Sequence, residues 1–91
     1  MPKILIVDDE PHIRVLIEMA LEDLEDEGVE ILTAENGEES LNLINDQMPE
    51  LVFLDVMIPK ISGFEVCSKV KSSPKTKDIT VMLLTAKGQG D

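Results

Sequence analysis

The sequence predicts a small α/β domain built on a parallel sheet. Two observations carry that prediction. Three apolar runs each end in polar side chains: Ile4-Leu5-Ile6-Val7 before Asp8-Asp9, Leu51-Val52-Phe53-Leu54 before Asp55, and Val81-Met82-Leu83-Leu84 before Thr85. Unbroken apolar runs of this length fit strands buried on both faces. Between them lie stretches with helical periodicity, and strand–helix alternation argues for parallel strands joined by right-handed crossovers. Open sheets of this kind bind ligands beyond the carboxyl ends of their strands. If the three strands are parallel neighbours, Asp8, Asp9, Asp55 and Thr85 converge on one small site.

Each element has its local reason. Lys3 to Val7 reads as the first strand, and Pro11 suits the first turn of the helix that follows, where a missing N–H costs nothing. Ile13, Leu16, Ile17, Ala20, Leu21 and Leu24 recur at helical spacing, so one amphipathic helix is expected to about Leu24. The acidic run Glu22–Glu27 reads as its solvated end, frayed by acids at the negative end of the helix dipole. Gly28 closes it. Val29 to Ala34 is a second strand, polar enough for an edge.

Asn36-Gly37 signals a turn. A second helix runs from Glu38 to Met48, with Leu41, Ile44 and Met48 on one face, and Pro49 stops it. Leu51 to Asp55 is the third strand, followed by a loop through Pro59. Ser62 and Glu65 form a capping-box pattern at the start of a third helix, which runs to about Lys71 with Cys67 and Val70 facing the core. Ser72 to Lys77 is a polar loop, and Thr80 to Thr85 the fourth strand.

Composition narrows the function. Ninety-one residues make one domain, and an apolar fraction of 43% with only two Phe leaves the core to aliphatic side chains, the methionines among them as filler. Nineteen acids against eight bases give a net charge of −11, which argues against a nucleic-acid surface. One cysteine, Cys67, rules out an internal disulfide and suits a reducing cytoplasm. Its surroundings suggest core packing and not an activated thiolate. No signal peptide or membrane-spanning run is expected. His12 reads as a surface residue.

The ordered set Asp8-Asp9, Asp55, Met57-Ile58-Pro59, Ser62-Gly63-Phe64-Glu65 and Leu84-Thr85-Ala86 resembles the receiver domain of two-component response regulators. The resemblance covers the whole chain. It implies a flavodoxin-like parallel sheet, here of four strands in the order 2-1-3-4 with about three helices. It implies Asp55 as the phosphoacceptor for a sensor histidine kinase, Mg²⁺ bound by Asp9 and Asp55 directly, by Asp8 through water and by the Met57 backbone carbonyl, and Thr85 as a switch hydroxyl. It also implies that residues 1–91 are a receiver domain lacking the family's fourth helix, fifth strand and fifth helix, and with them a Lys that contacts the phosphoryl group. Poor switching is expected on that account.

The chemistry agrees with the resemblance. Three clustered carboxylates repel one another, and a hard divalent cation with oxygen ligands relieves that repulsion. Two other classes of function compete: a truncated interaction module that keeps the metal pocket but does not switch, and a small phosphatase-like enzyme with an aspartyl nucleophile. No second acid/base or substrate cap supports the enzyme, so none is expected. Finally, an unprotected fourth strand, Val81-Met82-Leu83-Leu84, predicts a homodimer through that strand and the uncovered sheet faces.

Overall fold

The computed structural model describes residues 2–84. Four five-residue strands, β1 (Lys3–Val7), β2 (Glu30–Ala34), β3 (Leu51–Asp55) and β4 (Thr80–Leu84), form one parallel sheet in the order β2-β1-β3-β4. Helices α1 (Pro11–Ala20), α2 (Glu22–Asp26), α3 (Gly37–Gln47) and α4 (Gly63–Ser72) connect them. Right-handed crossovers to either side of β1 put α1 on one face and α3 and α4 on the other.

The face under α3 and α4 is sealed. Leu5 and Val7 of β1 pair in register with Val52 and Leu54 of β3, and all four are buried with Ile44, Val66 and Val70 from the helices. Val81 and Leu83 of β4 pack against the same cluster. The opposite face is closed only near α1. There Ile6, Phe53 and Met82 stand side by side in register, and they pass from fully buried through half-buried to 49% exposed. Alternate residues of a strand point to opposite faces, so this row belongs wholly to the α1 side.

The expected Ser62 cap forms, and Asn36, read only as a turn, caps a helix as well. Ser62 Oγ accepts the Glu65 N–H at 3.2 Å, and Asn36 Oδ1 accepts the Glu39 N–H at 2.8 Å. Each satisfies a donor that the first helical turn leaves free.

The first helix departs from expectation. It breaks at Leu21 (φ −100°, ψ 9°), and the acidic run becomes a separate short helix, so the described residues hold four helices where about three were expected. Leu16 was expected on the buried stripe and is 59% exposed. Ile13 and Ile17 are half-buried, because α1 leans on β1 through a narrow stripe. The four described methionines are not core filler either. Met19, Met48, Met57 and Met82 are all exposed: the first lies on the outer side of α1, the second ends α3 in the left-handed conformation, the third sits in a loop and the fourth faces the open side of the sheet. Cys67 is half-buried against the core, as expected for packing. The polar loop after α4 is more ordered than its composition suggests. The buried Thr76 hydroxyl donates to the Val70 carbonyl at 2.7 Å, and Lys71 Nζ donates to the carbonyls of Lys77 and Ile79. No helix among the described residues is long and apolar enough to cross a membrane.

Candidate phosphoacceptor and metal site

β1 and β3 are adjacent and parallel, so the residues at their carboxyl ends meet. Asp8 and Asp9 follow Val7, and Asp55 ends β3. One carboxylate oxygen from each of the three acids lies within 4.8 Å of the others. Asp8 and Asp55 are each 4% exposed, while Asp9 is exposed and gives the cluster its open side.

Backbone N–H groups hold the two buried carboxylates in place. Asp55 Oδ1 accepts the Met57 N–H at 3.0 Å, and Asp8 Oδ1 accepts the Glu10 N–H at 2.9 Å. Both are turns in which an Asp bonds the backbone two residues on. The Met57 carbonyl follows in the same loop, and the Met57 side chain is exposed. Thr85, the expected switch hydroxyl, lies outside the described residues.

Burial raises the Asp8 carboxyl above the ordinary carboxylate range, against the Glu10 hydrogen bond that lowers it. The charge and hydrogen bond of Asp55, then the charge of Asp9, raise it further. The folded protein therefore holds the Asp8 proton more tightly than the unfolded chain does. The ionised group costs stability above its raised pKa, and that cost fades as pH falls through it toward the unfolded value of 3.8. Asp8→Asn is expected to raise the metal-free melting temperature at neutral pH. It should also flatten that part of the pH profile, as read by thermal melts across pH. An unchanged melting temperature at neutral pH would show that the three acids do not strain the site.

One residue of the site was not anticipated from the sequence. Arg14 stands six residues past Asp8, and its guanidinium donates to the Asp8 carbonyl while lying 3.9 Å from Glu35 Oε2. It pins the backbone of the first acid without pairing with any of the three carboxylates. Its only signal in the sequence is a lone base on the first turns of a helix that follows two acids.

The donor set is all oxygen, and three carboxylates within reach of one another match the preference of a hard divalent cation. A Cys- or His-seeking metal finds nothing here.

Comparison with known proteins agrees with this geometry. The model of the response regulator receiver domain matches residues 4–91. The phosphate regulon transcriptional regulatory protein PhoB of Pseudomonas aeruginosa is 46% identical over 97% of this chain and 37% of its own length. The probable transcriptional regulator ycf27 of Guillardia theta is 43% identical over 94% of this chain and 32% of its own. Among solved structures, the N-terminal domain of a response regulator receiver protein from Methanoculleus marisnigri superposes with a TM-score of 0.83 at 40% identity, covering 97% of this chain and 69% of that one. The response regulator TrrA of Thermotoga maritima, solved in complex with Mg²⁺-BeF, superposes with a TM-score of 0.72 at 46% identity over 91% of this chain and 66% of that one.

This chain belongs to the response regulator receiver domain family, the phosphoacceptor class of two-component signal transduction. It spans about a third of the length of the curated relatives it matches.

Proposed function

We propose that this chain accepts a phosphoryl group on Asp55 from a sensor histidine kinase, with Mg²⁺ held by Asp8, Asp9, Asp55 and the Met57 carbonyl. The observation that carries the reading is the meeting of three carboxylates at the ends of β1 and β3, two buried and one open. The Mg²⁺-BeF complex of TrrA supports it by likeness. The whole-chain likeness to phosphoacceptor domains favours it over an interaction module that does not switch.

Each residue has a task. The Met57 N–H fixes one Asp55 oxygen, which leaves the other as the attacking atom. Asp9, exposed, meets the entering ion first. Asp8, buried and costly when ionised, gains most from a bound cation. When bound, Mg²⁺ neutralises the carboxylates and the phosphoryl oxygens. Thr85 is proposed as the switch hydroxyl. Signalling through a covalent mark, and not substrate turnover, is the output.

The test is incubation with a small phosphodonor and Mg²⁺, followed by intact mass. One phosphoryl group per chain is expected, and none without the metal. A protein that stays unmodified under both conditions would overturn the assignment.

Residues 1–91 are read as one receiver unit of the cytoplasm, where a lone unpaired cysteine is at home. The transcriptional roles in the relatives' names belong to chains about three times as long. The net charge of −11 supports no nucleic-acid contact by this unit itself.

We further propose that the 91-residue chain pairs with a second copy along β4. Among the described residues β4 is an outer strand, Val81–Leu84 carries no charge or proline, and Met82 faces outward. Such an edge templates pairing. Like charge opposes it only within roughly 8 Å at physiological salt. Leu83 turns into the core, so Met82→Lys is the cleaner probe of the surface. Light scattering should report a dimer that Met82→Lys dissociates, whereas a folded 10.1 kDa monomer at high concentration refutes the pairing.

A further inference from the structure

The acids that meet at the site come from two separate segments. Asp8 and Asp9 belong to the loop after β1, Asp55 is the last residue of β3, and Met57 lies in the loop that follows it. A third segment, the turn 34–38 between β2 and α3, touches both.

Its grip on the first loop is double. The Ala34 carbonyl accepts the Asp8 N–H at 3.1 Å. Glu35 faces Arg14, whose guanidinium in turn donates to the Asp8 carbonyl. Both backbone polar groups of Asp8 are therefore tied, directly or through Arg14, to residues 34–35.

Its grip on the second loop is closer still. The Gly37 N–H donates to the Pro59 carbonyl at 3.2 Å, and Glu38 Oε1 lies 3.6 Å from Lys60 Nζ. Lys60 adopts φ +74°, a left-handed conformation that a residue with a side chain rarely takes and that its surroundings hold in place. A Cβ on Gly37 would sit 2.2 Å from the Ile61 carbonyl oxygen and 2.8 Å from the Ile61 Cβ. The first of these is backbone and cannot swing aside. The loop after β3 is thus laid directly on a position where no side chain fits. The turn is itself stiffened: Glu39 Oε1 accepts the Glu35 N–H at 3.0 Å, and the buried Ser40 hydroxyl donates to the Gly37 carbonyl at 2.7 Å.

We propose that the turn 34–38 is a positioning strap, which sets the Asp8–Asp9 loop against the loop that carries Met57 after Asp55, with Gly37 as its pivot. It contributes no ligand and no reacting atom. Its effect is on how well the two loops are placed before an ion or a phosphoryl group arrives, and preorganisation of that kind governs affinity. The inference rests on the metal-binding phosphoacceptor reading.

Reciprocity supplies the test, because two coupled events must favour each other equally. The probe is Mg²⁺ alone, titrated into the full 91-residue protein and followed by amide resonances. In Gly37→Ala the dissociation constant for Mg²⁺ should rise by at least about five-fold, the lower end of typical coupling. In the unsubstituted protein, saturating Mg²⁺ should slow hydrogen exchange at the Gly37 amide. Gly28→Ala is the control for general destabilisation. Gly28 has φ +99° and nothing near its Cβ position, so this variant should lower the melting temperature and leave Mg²⁺ affinity unchanged.

A folded Gly37→Ala protein with Mg²⁺ affinity within about two-fold of the original overturns the strap. Should that variant fail to fold, unchanged exchange at the Gly37 amide on Mg²⁺ binding overturns it equally. If Mg²⁺ moves no resonance near Asp8 or Asp55 in the unsubstituted protein, the metal reading falls instead. The strap is then judged on metal-free Glu38→Ala, a surface variant, in which the Asp55 and Met57 amides must shift. Unmoved resonances there dismiss it.

Discussion

Asp55→Asn should abolish phosphodonor-dependent mass gain completely. The asparagine keeps the shape of the side chain and can still accept the Met57 N–H through its amide oxygen, which in the native protein is the 3.0 Å bond to Asp55 Oδ1. It loses the second carboxylate oxygen, the only one free to attack phosphorus. It also removes one of three mutually repelling charges, so Asp8 should titrate closer to the ordinary range and the metal-free fold should gain stability. Loss of modification together with unchanged or higher melting temperature separates a missing nucleophile from a damaged fold. The readout is intact mass, with peptide mapping to place the group. Modification that persists at full stoichiometry would move the acceptor elsewhere, with Asp9 the nearest exposed carboxylate.

Leu54→Ala should be the most damaging core substitution of the sheet. Leu54 is fully buried near the carboxyl end of β3, between Val7 on β1 and Leu83 on β4 in register. Truncating such a leucine costs about 2–5 kcal/mol, because the cavity left behind collapses only in part. A domain of this size holds roughly 5–15 kcal/mol in all, and this one has a core without large aromatics. The substitution therefore removes a large fraction of the total. Urea titration should show a lower midpoint at an unchanged slope, the mark of lost stability without a changed denatured state. Met82→Ala, on the half-open face, should cost less than about 1 kcal/mol by the same measurement. Equal losses at the two positions would show that the α1 side of the sheet is as tightly packed as the other.

The sheet was legible because its strands obey a simple rule. A strand covered on both sides must be apolar throughout, and Ile4–Val7 and Leu51–Leu54 are. Their ends were legible too, since the first charged residue marks where the apolar run stops, although Asp8 and Asp55 are themselves buried. That put Asp8, Asp9 and Asp55 at strand ends, where they meet if the two strands are parallel neighbours. The 2-1-3-4 order came from the resemblance, since no apolar run states its neighbours. Helix α1 was misread because periodicity reports which residues could share a face, not how much cover the face receives. Leu16 keeps the spacing and stays largely in water, and Leu24 is 38% exposed. The break at Leu21 has no proline or glycine to announce it. The residues that steady the site were hidden for a different reason. Arg14 and Gly37 act on backbone groups at a distance in the chain: Arg14 reaches back six residues to the Asp8 carbonyl, and Gly37 meets Pro59 only once the strands are side by side. An Asn36-Gly37 pair reads as a turn, and nothing local says that another loop will rest on it.

The row Ile6–Phe53–Met82 has a thermodynamic consequence. One side of the sheet is sealed, and the other opens progressively toward β4. Unfolding adds to the heat capacity chiefly through apolar surface newly exposed to water, about 12–15 cal/mol/K per residue in an ordinary domain. Surface that is already wet in the folded state adds nothing. The described fold should therefore unfold with a smaller heat-capacity increment than its length suggests. Its stability then depends on temperature along a flatter dome, with less to lose on cooling.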